Sequence, residues 1–236
     1  EGVPEGELGG AKEMLAQGVF DTFKPDAVMG LHVGSALNVG QISVRAGPMV
    51  AASDSSEIPV KARQTHGPRP WNGGDPIVAA ADLIGTAQTI VSRRTDITRL
   101  PAVVTFGAIK GGIRHNIIPD SVELIGTIRT FDDGMREDIF TDLRNVADHV
   151  AAAHGATIEA RIPIDHNYPV TANDPALLTR LRPSLEKVVG ADNLLDPGLI
   201  TGAEDFSYFA RKVPGLYFFV GVTPKGTDAN TAASNH

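Results

Sequence analysis

Between residues 56 and 166 the chain predicts an uninterrupted succession of strand, helix, strand, strand, helix and strand. Alternation of apolar and polar residues from 58 to 63 predicts the first strand, and the last strand is predicted over 157–164. The first helix follows Asp75 as N-cap with Pro76 in its first turn, and the second opens at Asp133 and ends at Gly155. This is the order of a ferredoxin-like domain, in which two helices cover one face of a four-stranded antiparallel sheet. The set is complete in itself, so it predicts an α+β domain with its own core.

The segments on either side of this block predict a second α/β body. Residues 7–18 suggest a short helix, and residues 27–33 form a compact apolar run that is typical of a buried strand. After the block, the pattern predicts a helix over Pro175–Val189 and an apolar strand over 216–222. Neither flank contains a complete set of layers, so we expect the two to pack together.

A run of small residues at 51–54 marks the expected joint between the two bodies. We predict that residues 1–52 and 167–236 form one discontinuous domain, and that residues 53–166 are inserted into it. A length of 236 residues suits either one large domain or two modest ones.

The composition excludes several classes of protein. A formal net charge of −7 argues against a nucleic-acid binder, which needs a basic face. The apolar runs are too short to span a bilayer. The chain contains no cysteine, which excludes disulfides and thiolate metal ligands within it. No signal peptide opens at residue 1, and the compartment is left open with the cytoplasm as the default expectation.

The richest chemistry lies in two loops of the central block. The stretch Phe-Gly-Ala-Ile-Lys-Gly-Gly-Ile-Arg-His-Asn-Ile-Ile-Pro-Asp presents Asn116 between two strands, and Arg129 follows 13 residues later. His66 lies in Gln-Thr-His-Gly-Pro-Arg-Pro-Trp, where we expect Trp71 to pack against the loop. A hairpin needs no Arg-His-Asn at its tip, whereas a site that grips a carbonyl or a carboxylate does. The alternatives are a turn role for Asn116, a loop role for His66 and a surface charge for Arg129.

Three residues of metal-ligand type lie in the flanks. Glu1 precedes a glycine, His32 follows an apolar strand in Gly-Leu-His-Val, and His236 follows Ser-Asn. Imidazole and carboxylate ligands suit zinc, manganese or cobalt. Taken singly, each is more often a structural or terminal residue, and only their occurrence together with the loop block favours a metal site.

These blocks, with Thr-Gly-Ala-Glu-Asp-Phe around Glu204 and Asp205, resemble the co-catalytic zinc aminoacylases and carboxypeptidases. The nearest subgroup is the amidohydrolases of the hippurate hydrolase and indole-acetyl-amino-acid hydrolase type, and the resemblance covers nearly the whole chain. It implies a zinc-peptidase-like α/β catalytic domain, present in part, with an inserted ferredoxin-like lid or dimerisation domain. It also implies a homodimer through that lid.

The resemblance implies two divalent metal ions per active site, with Glu1, His32 and His236 among the ligands. Such ions polarise the scissile carbonyl and make a hydroxide from bridging water, while a carboxylate acts as general base. Glu204 and Asp205 would orient a ligand histidine, or would instead be a carboxylate pair at a helix N-terminus with no chemical role.

By the same resemblance, His66 of one subunit reaches the active site of its partner and stabilises the tetrahedral oxyanion. Asn116 and Arg129 would accompany it, with the Arg129 guanidinium binding the substrate carboxylate.

The family's first metal motif, His-x-Cys-Gly-His-Asp, and its catalytic Glu would lie upstream of Glu1, and we expect that both ends have been cut away. "Parent enzyme" here means this chain with that upstream segment restored. We expect the parent enzyme to cleave the amide bond of N-acyl amino acids and this polypeptide alone to be inactive. The alternatives are a metallo-dipeptidase or carboxypeptidase of the same family, and a non-catalytic dimerisation module at residues 56–166.

Overall fold

The computed structural model describes residues 10–164 and 167–229. The chain is a mixed α/β protein, as the sequence predicts. It divides into an outer unit, Glu1–Ala51 with Tyr168–His236, and a central unit, Ala52–Asn167. Among the described residues, no helix has both the length and the apolar character needed to cross a membrane.

The strands, in chain order, are β1 (Val28–Asn38), β2 (Ile42–Ser43), β3 (Gly47–Val50), β4 (Ala52–Lys61), β5 (Thr65–His66), β6 (Ala102–Gly111), β7 (Ile117–Ile118), β8 (Ser121–Thr130), β9 (Thr157–Ile158), β10 (Thr171–Asn173), β11 (Leu194–Leu195) and β12 (Gly215–Thr223). The α-helices are α1 (Gly10–Ala16), α2 (Val19–Phe23), α3 (Pro76–Thr89), α4 (Asp133–His154), α5 (Pro175–Val189) and α6 (Phe206–Ala210). A π-helical turn, Ile90–Arg94, extends α3, and short 3-10 turns lie at Pro70–Asn72 and Ala191–Asn193.

The central unit is built on an antiparallel sheet in the order β6-β8-β4-β9. Helices α3 and α4 pack on one face of it, where side chains such as Leu83 and Leu143 meet Ile58, Leu124 and Ile128 of the strands. These side chains are buried, and removing apolar surface from water on this scale stabilises the layers.

Helix boundaries in this unit follow the local chemistry. The Asp75 carboxylate accepts hydrogen bonds from the first backbone N–H groups of α3, and Asp132 accepts one from the first turn of α4. Gly155 ends α4 in the left-handed conformation, at φ 60°. The predicted starts of both helices and the predicted stop of α4 are confirmed.

The last strand of the unit is shorter than predicted. We expected a strand over 157–164, but β9 covers two residues, and only an isolated bridge between Glu57 and Arg161 continues it. Pro59 supplies the reason. Its carbonyl accepts from the Glu159 N–H, so its missing N–H faces this neighbour and interrupts the ladder there. The ladder to β8 lies on the other side of β4 and is continuous.

The outer unit has a sheet in the order β1-β12-β2-β11, in which β1 and β12 are parallel. Helix α5 covers one face, against Leu216 and Phe218. Helix α6 covers the other face, where Phe206 packs with Tyr217 and Met49. Because side chains alternate along β12, the two helices lie on opposite sides of the strand.

Strand β1 is not the buried strand that the sequence predicts. Met29, Leu31 and Val33 are exposed, Leu31 by 63%. Among the described residues β1 pairs only with β12, so it is an edge strand, and α5 packs farther across the sheet.

Candidate functional site

His32 lies on β1 beside Phe219 of β12, and their ring centroids are 5.7 Å apart. Its Nδ1 is 2.6 Å from the Val33 carbonyl oxygen. A carbonyl can only accept, so Nδ1 carries the proton and Nε2 of the neutral ring has a free lone pair. The ring is exposed, and this tautomer is the one that ligates a metal through Nε2.

The backbone of β1 approaches α6 closely on the face of the outer sheet that carries His32. A Cβ on Gly30 would lie 2.8 Å from the Phe206 ring and 3.0 Å from the Tyr217 ring, closer than side chains pack. Glycine is therefore required here. Since Gly30 and His32 are two residues apart, His32 shares this face with Tyr217 and Phe206.

Glu204 is held on both carboxylate oxygens. The Tyr217 hydroxyl donates to Oε2 over 2.6 Å, and the Asp205 backbone N–H donates to Oε1 over 3.1 Å. Burial, and then the hydrogen bond to Glu204, raise the pKa of Tyr217 above its ordinary value. The hydroxyl therefore stays protonated and keeps donating at neutral pH.

Asp205 acts at a different helix from the one that it precedes. Its side chain makes no capping bond to α6, and its Oδ2 accepts from the Ala11 N–H at the start of α1, over 2.8 Å. Asp205 is therefore a carboxylate at a helix N-terminus, but the helix is α1 and not α6. The role of either carboxylate in orienting a ligand histidine stays a prediction.

Glu1 and His236, the other two predicted metal ligands, lie outside the described residues. Within residues 10–164 and 167–229, no three side chains of His, Cys, Asp or Glu lie together as a metal-binding group. The open Nε2 of His32 fits a metal ligand, and it is the part of the predicted ligand set that the described residues contain.

His66 and Asn116 come together at one end of the central unit. Strands β5 and β7 pair so that His66 lies opposite Ile117, and the Gly67 N–H donates to the Asn116 carbonyl over 2.8 Å. A Cβ on Gly67 would lie 3.1 Å from the Asn116 backbone, so glycine permits the approach. Both predicted side chains are exposed there.

Arg129 lies on β8 of the four-stranded sheet, near the end of that strand, whereas β5 and β7 form a separate two-stranded sheet. It is opposite Ser53 on β4 and Val103 on β6. From Ser121, at the start of β8, to Arg129 the strand runs for roughly 26 Å at ~3.3 Å per residue. Within one central unit, Arg129 is thus far from His66 and Asn116.

The expectation for Trp71 is wrong. The indole is 77% exposed and does not pack against its loop. It sits on the 3-10 turn Pro70–Asn72, which is tied to the histidine loop by the hydrogen bond from the Arg69 N–H to the His66 carbonyl, over 2.8 Å. The prolines at 68 and 70 stiffen this backbone, so the turn holds its shape without the indole.

The family model of peptidase family M20/M25/M40 matches residues 1–236. The chain belongs to this family. Its similarity to individual members is moderate and extends over most of its own length.

One curated relative, N-acetyl-L-cysteine deacetylase of Bacillus subtilis, is 34% identical over 92% of this chain and 51% of its own. Another, thermostable carboxypeptidase 2 of Saccharolobus solfataricus, is 33% identical over 92% of this chain and 53% of its own. The chain thus spans about half the length of the curated relatives that it matches.

Among solved structures, the YXEP protein of Bacillus subtilis, described as a dinuclear metal-binding peptidase of the M20 family, is 28% identical to this chain. The TM-score is 0.72, and the match covers 94% of this chain and 55% of the other. This likeness supports divalent metals as the cofactor class of the family.

Two residues at the site were not singled out from the sequence. Tyr217 sits in an apolar run, and Asn173 precedes a helix cap, where polar residues are routine. Yet the Asn173 side chain is buried and bonds both the N–H and the carbonyl of Tyr217, over 2.6 and 2.8 Å. A tyrosine among phenylalanines in a buried strand was the available signal, because a buried hydroxyl needs a partner.

Proposed function

We propose that the parent enzyme is a metal-dependent amidohydrolase that cleaves the amide bond of N-acyl amino acids. The observation that carries this is His32, whose Nδ1 is fixed by a backbone carbonyl and whose Nε2 is open, in a chain of the M20/M25/M40 family. The deacetylase name of a relative at 34% identity supports the reaction class.

The proposed metal site takes two divalent ions, zinc, manganese or cobalt, with His32, Glu1 and His236 among the ligands. When bound, such ions polarise the scissile carbonyl and lower the pKa of water. His32 contributes its Nε2 lone pair, and its bond to the Val33 carbonyl keeps the ring in that tautomer. Glu204 and Asp205 take part in the site as orienting carboxylates.

The proposed substrate-binding groups come from the central unit, which acts as a lid. His66 and Asn116 hold the substrate's carbonyl oxygen as negative charge develops on it. Arg129 binds the substrate carboxylate with its planar guanidinium. Since Arg129 lies near the end of β8 that is remote from β5 and β7, one lid cannot present all three side chains to a small substrate. We infer that His66 and Asn116 serve the partner's site.

A homodimer through the lid follows from this proposal. The β6 edge of the central sheet is ten residues long, whereas β9 at the other edge has two. A long edge strand readily pairs with a second copy, and like edges pair with two-fold symmetry. Exposed Val103 and Ile109 on β6 make it the edge that we propose as the interface.

A second candidate function is peptide hydrolysis, which the carboxypeptidase name of another relative favours. The third alternative is an association module, which would dimerise but would not catalyse a reaction. Both are outcomes of the same experiment.

The test is hydrolysis of a panel by the parent enzyme: N-acetyl, N-benzoyl and indole-acetyl amino acids beside dipeptides, with release of the free amino acid measured. We expect N-acyl amino acids to exceed dipeptides in kcat/KM by about 10-fold or more, and a chelator to abolish turnover. A preference for dipeptides favours the peptidase. If no substrate is hydrolysed with any added divalent metal, the association module without catalysis is the remaining alternative.

The chain offers a matched control for His32. His149 is also exposed, and its Nδ1 is also 2.6 Å from a backbone carbonyl, that of Asn145. We expect His32→Ala to lower turnover more than ~100-fold and His149→Ala to leave it within about two-fold. Equal effects of the two substitutions on turnover would contradict the assignment of His32 as a metal ligand.

A further inference from the structure

We propose that Tyr217 is a positioning residue that fixes the Glu204 carboxylate on the face of the sheet that carries His32. Its consequence for turnover rests on the proposed function, whereas its consequence for the local structure does not. The proposal concerns the Tyr217 hydroxyl, since the ring alone has a sufficient packing role.

Packing does not explain the hydroxyl. The Tyr217 ring is 3% exposed and lies against Phe206 and Phe219, at centroid distances of 5.2 and 5.6 Å. A phenylalanine at 217 would fill the same space, as at the neighbouring positions 218 and 219. A buried hydroxyl costs free energy unless it is hydrogen-bonded, and this one donates to Glu204 over 2.6 Å.

The strand beneath Tyr217 is itself fixed. The Asn173 amide accepts from the Tyr217 N–H and donates to its carbonyl. The same amide nitrogen donates to the Arg45 carbonyl over 2.9 Å. Tyr217 is therefore held at its backbone by a buried amide, at its ring by two aromatic side chains and at its hydroxyl by a carboxylate.

One strand thus relates the two groups of the proposed site. On β12, Phe219 touches the His32 ring and Tyr217 binds Glu204, and both side chains point to the same face. With one oxygen held by Tyr217 and the other by the Asp205 N–H, Glu204 has one fixed orientation. Its remaining lone pairs can then accept the N–H of a ligand histidine, which is the orienting role proposed for it above.

The first measurement is independent of activity. It is hydrogen exchange at the Asp205 amide, which donates to Glu204, in the parent enzyme with Tyr217→Phe. We expect exchange there to accelerate by about 10-fold or more, with exchange at Ala79 in α3 unchanged. Thr223→Val, which removes another hydroxyl of β12 that donates to the Ser35 carbonyl, is the matched control and should leave Asp205 exchange unchanged. Unchanged exchange in Tyr217→Phe, or an equal change in both variants, overturns the proposal.

The second measurement is a double-mutant cycle on turnover with Tyr217→Phe, Glu204→Ala and both together. We expect Tyr217→Phe to lower kcat by about 10-fold with KM within about two-fold, and to have no further effect once Glu204 is alanine. Independent effects of the two substitutions would contradict the proposal. If the unmodified parent enzyme hydrolyses none of the panel, the proposed function fails, and the exchange measurement alone still decides the role of Tyr217.

Discussion

At the scale of single residues, the central unit contains a buried ion pair between Asp54 and Arg136. Asp54 of β4 is fully buried, and Arg136 of α4 binds it with two donors, Nε over 2.7 Å and Nη2 to the other oxygen. The hydrogen bond to Asp54 raises the pKa of the Arg136 guanidinium above its usual value. The guanidinium also lies 5.2 Å from the Phe140 ring centroid.

Removing one partner of this pair should destabilise the protein strongly. Asp54→Asn leaves a buried charge without its counter-charge, and we expect the free energy of unfolding to fall by about 3 kcal/mol or more. The double variant Asp54→Asn/Arg136→Met should lose less than Asp54→Asn alone, because it removes the orphaned charge. Denaturant unfolding measures both.

The control is the exposed pair of Lys110 and Glu123, with atoms 3.7 Å apart. Glu123→Ala should change stability by less than ~0.5 kcal/mol, because solvent screens the pair. If Asp54→Asn costs no more than Glu123→Ala, the buried pair contributes little.

Residue-level patterns in the sequence indicate local chemistry but not bonds between distant positions, and the catalytic roles of His66 and Asn116 stay predictions. His66 and Asn116 stand out because their loops carry polar residues that no hairpin needs, and the structure brings them together. The bond from Tyr217 to Glu204 and those from Asn173 to Tyr217 join positions far apart in the chain. Such partners depend on the fold of β12 beside α6, which no local pattern encodes.

At the scale of elements, caps and breakers decided what could be predicted. Asp75 with Pro76, and Gly155, set helix ends through bonds to their nearest neighbours, so the sequence contains the whole cause. The length of β9 depends on which side of β4 the Pro59 nitrogen faces. The burial of β1 depends on which elements pack against it. Both are tertiary facts, and both predictions failed in length or burial.

The β6 edge carries a prediction at this scale. Ile109, 56% exposed on β6, and Ile97, 58% exposed in the turn before it, form a matched pair. We expect Ile109→Lys to shift the parent enzyme from dimer to monomer in sedimentation, because a charged edge resists pairing. Ile97→Lys should leave the dimer intact.

A monomeric unmodified parent enzyme would contradict the dimer proposal. A dimer that survives Ile109→Lys would move the interface to another surface. Circular dichroism of both variants checks that each is folded before sedimentation is compared.

At the scale of the whole molecule, the chain divides into two units, each with its own core. The sequence predicts two domains because the central block holds a complete set of strands and helices, and the inserted domain over 53–166 stays a prediction. The roles of the two units as metal-binding domain and lid remain predictions. They depend on groups of Glu1 and His236, which lie outside the described residues, and on a second copy of the chain.

The central claim is a metal hydrolase whose active site combines His32 of one subunit with His66 of its partner. His66→Ala and His32→Ala should each lower turnover ~100-fold or more, because one removes an oxyanion donor and the other a metal ligand. Mixing the two inactive parent enzymes under subunit exchange tests both roles together.

The measurement is turnover of an N-acyl amino acid by that mixture. Half of randomly exchanged dimers contain one chain of each kind, and each has one intact site, so we predict recovery to roughly a quarter of unmodified turnover. The same mixture of His32→Ala with a His32→Ala/His66→Ala double variant should stay inactive. Failure of the first mixture to recover, with exchange of subunits demonstrated, would contradict a site shared between subunits.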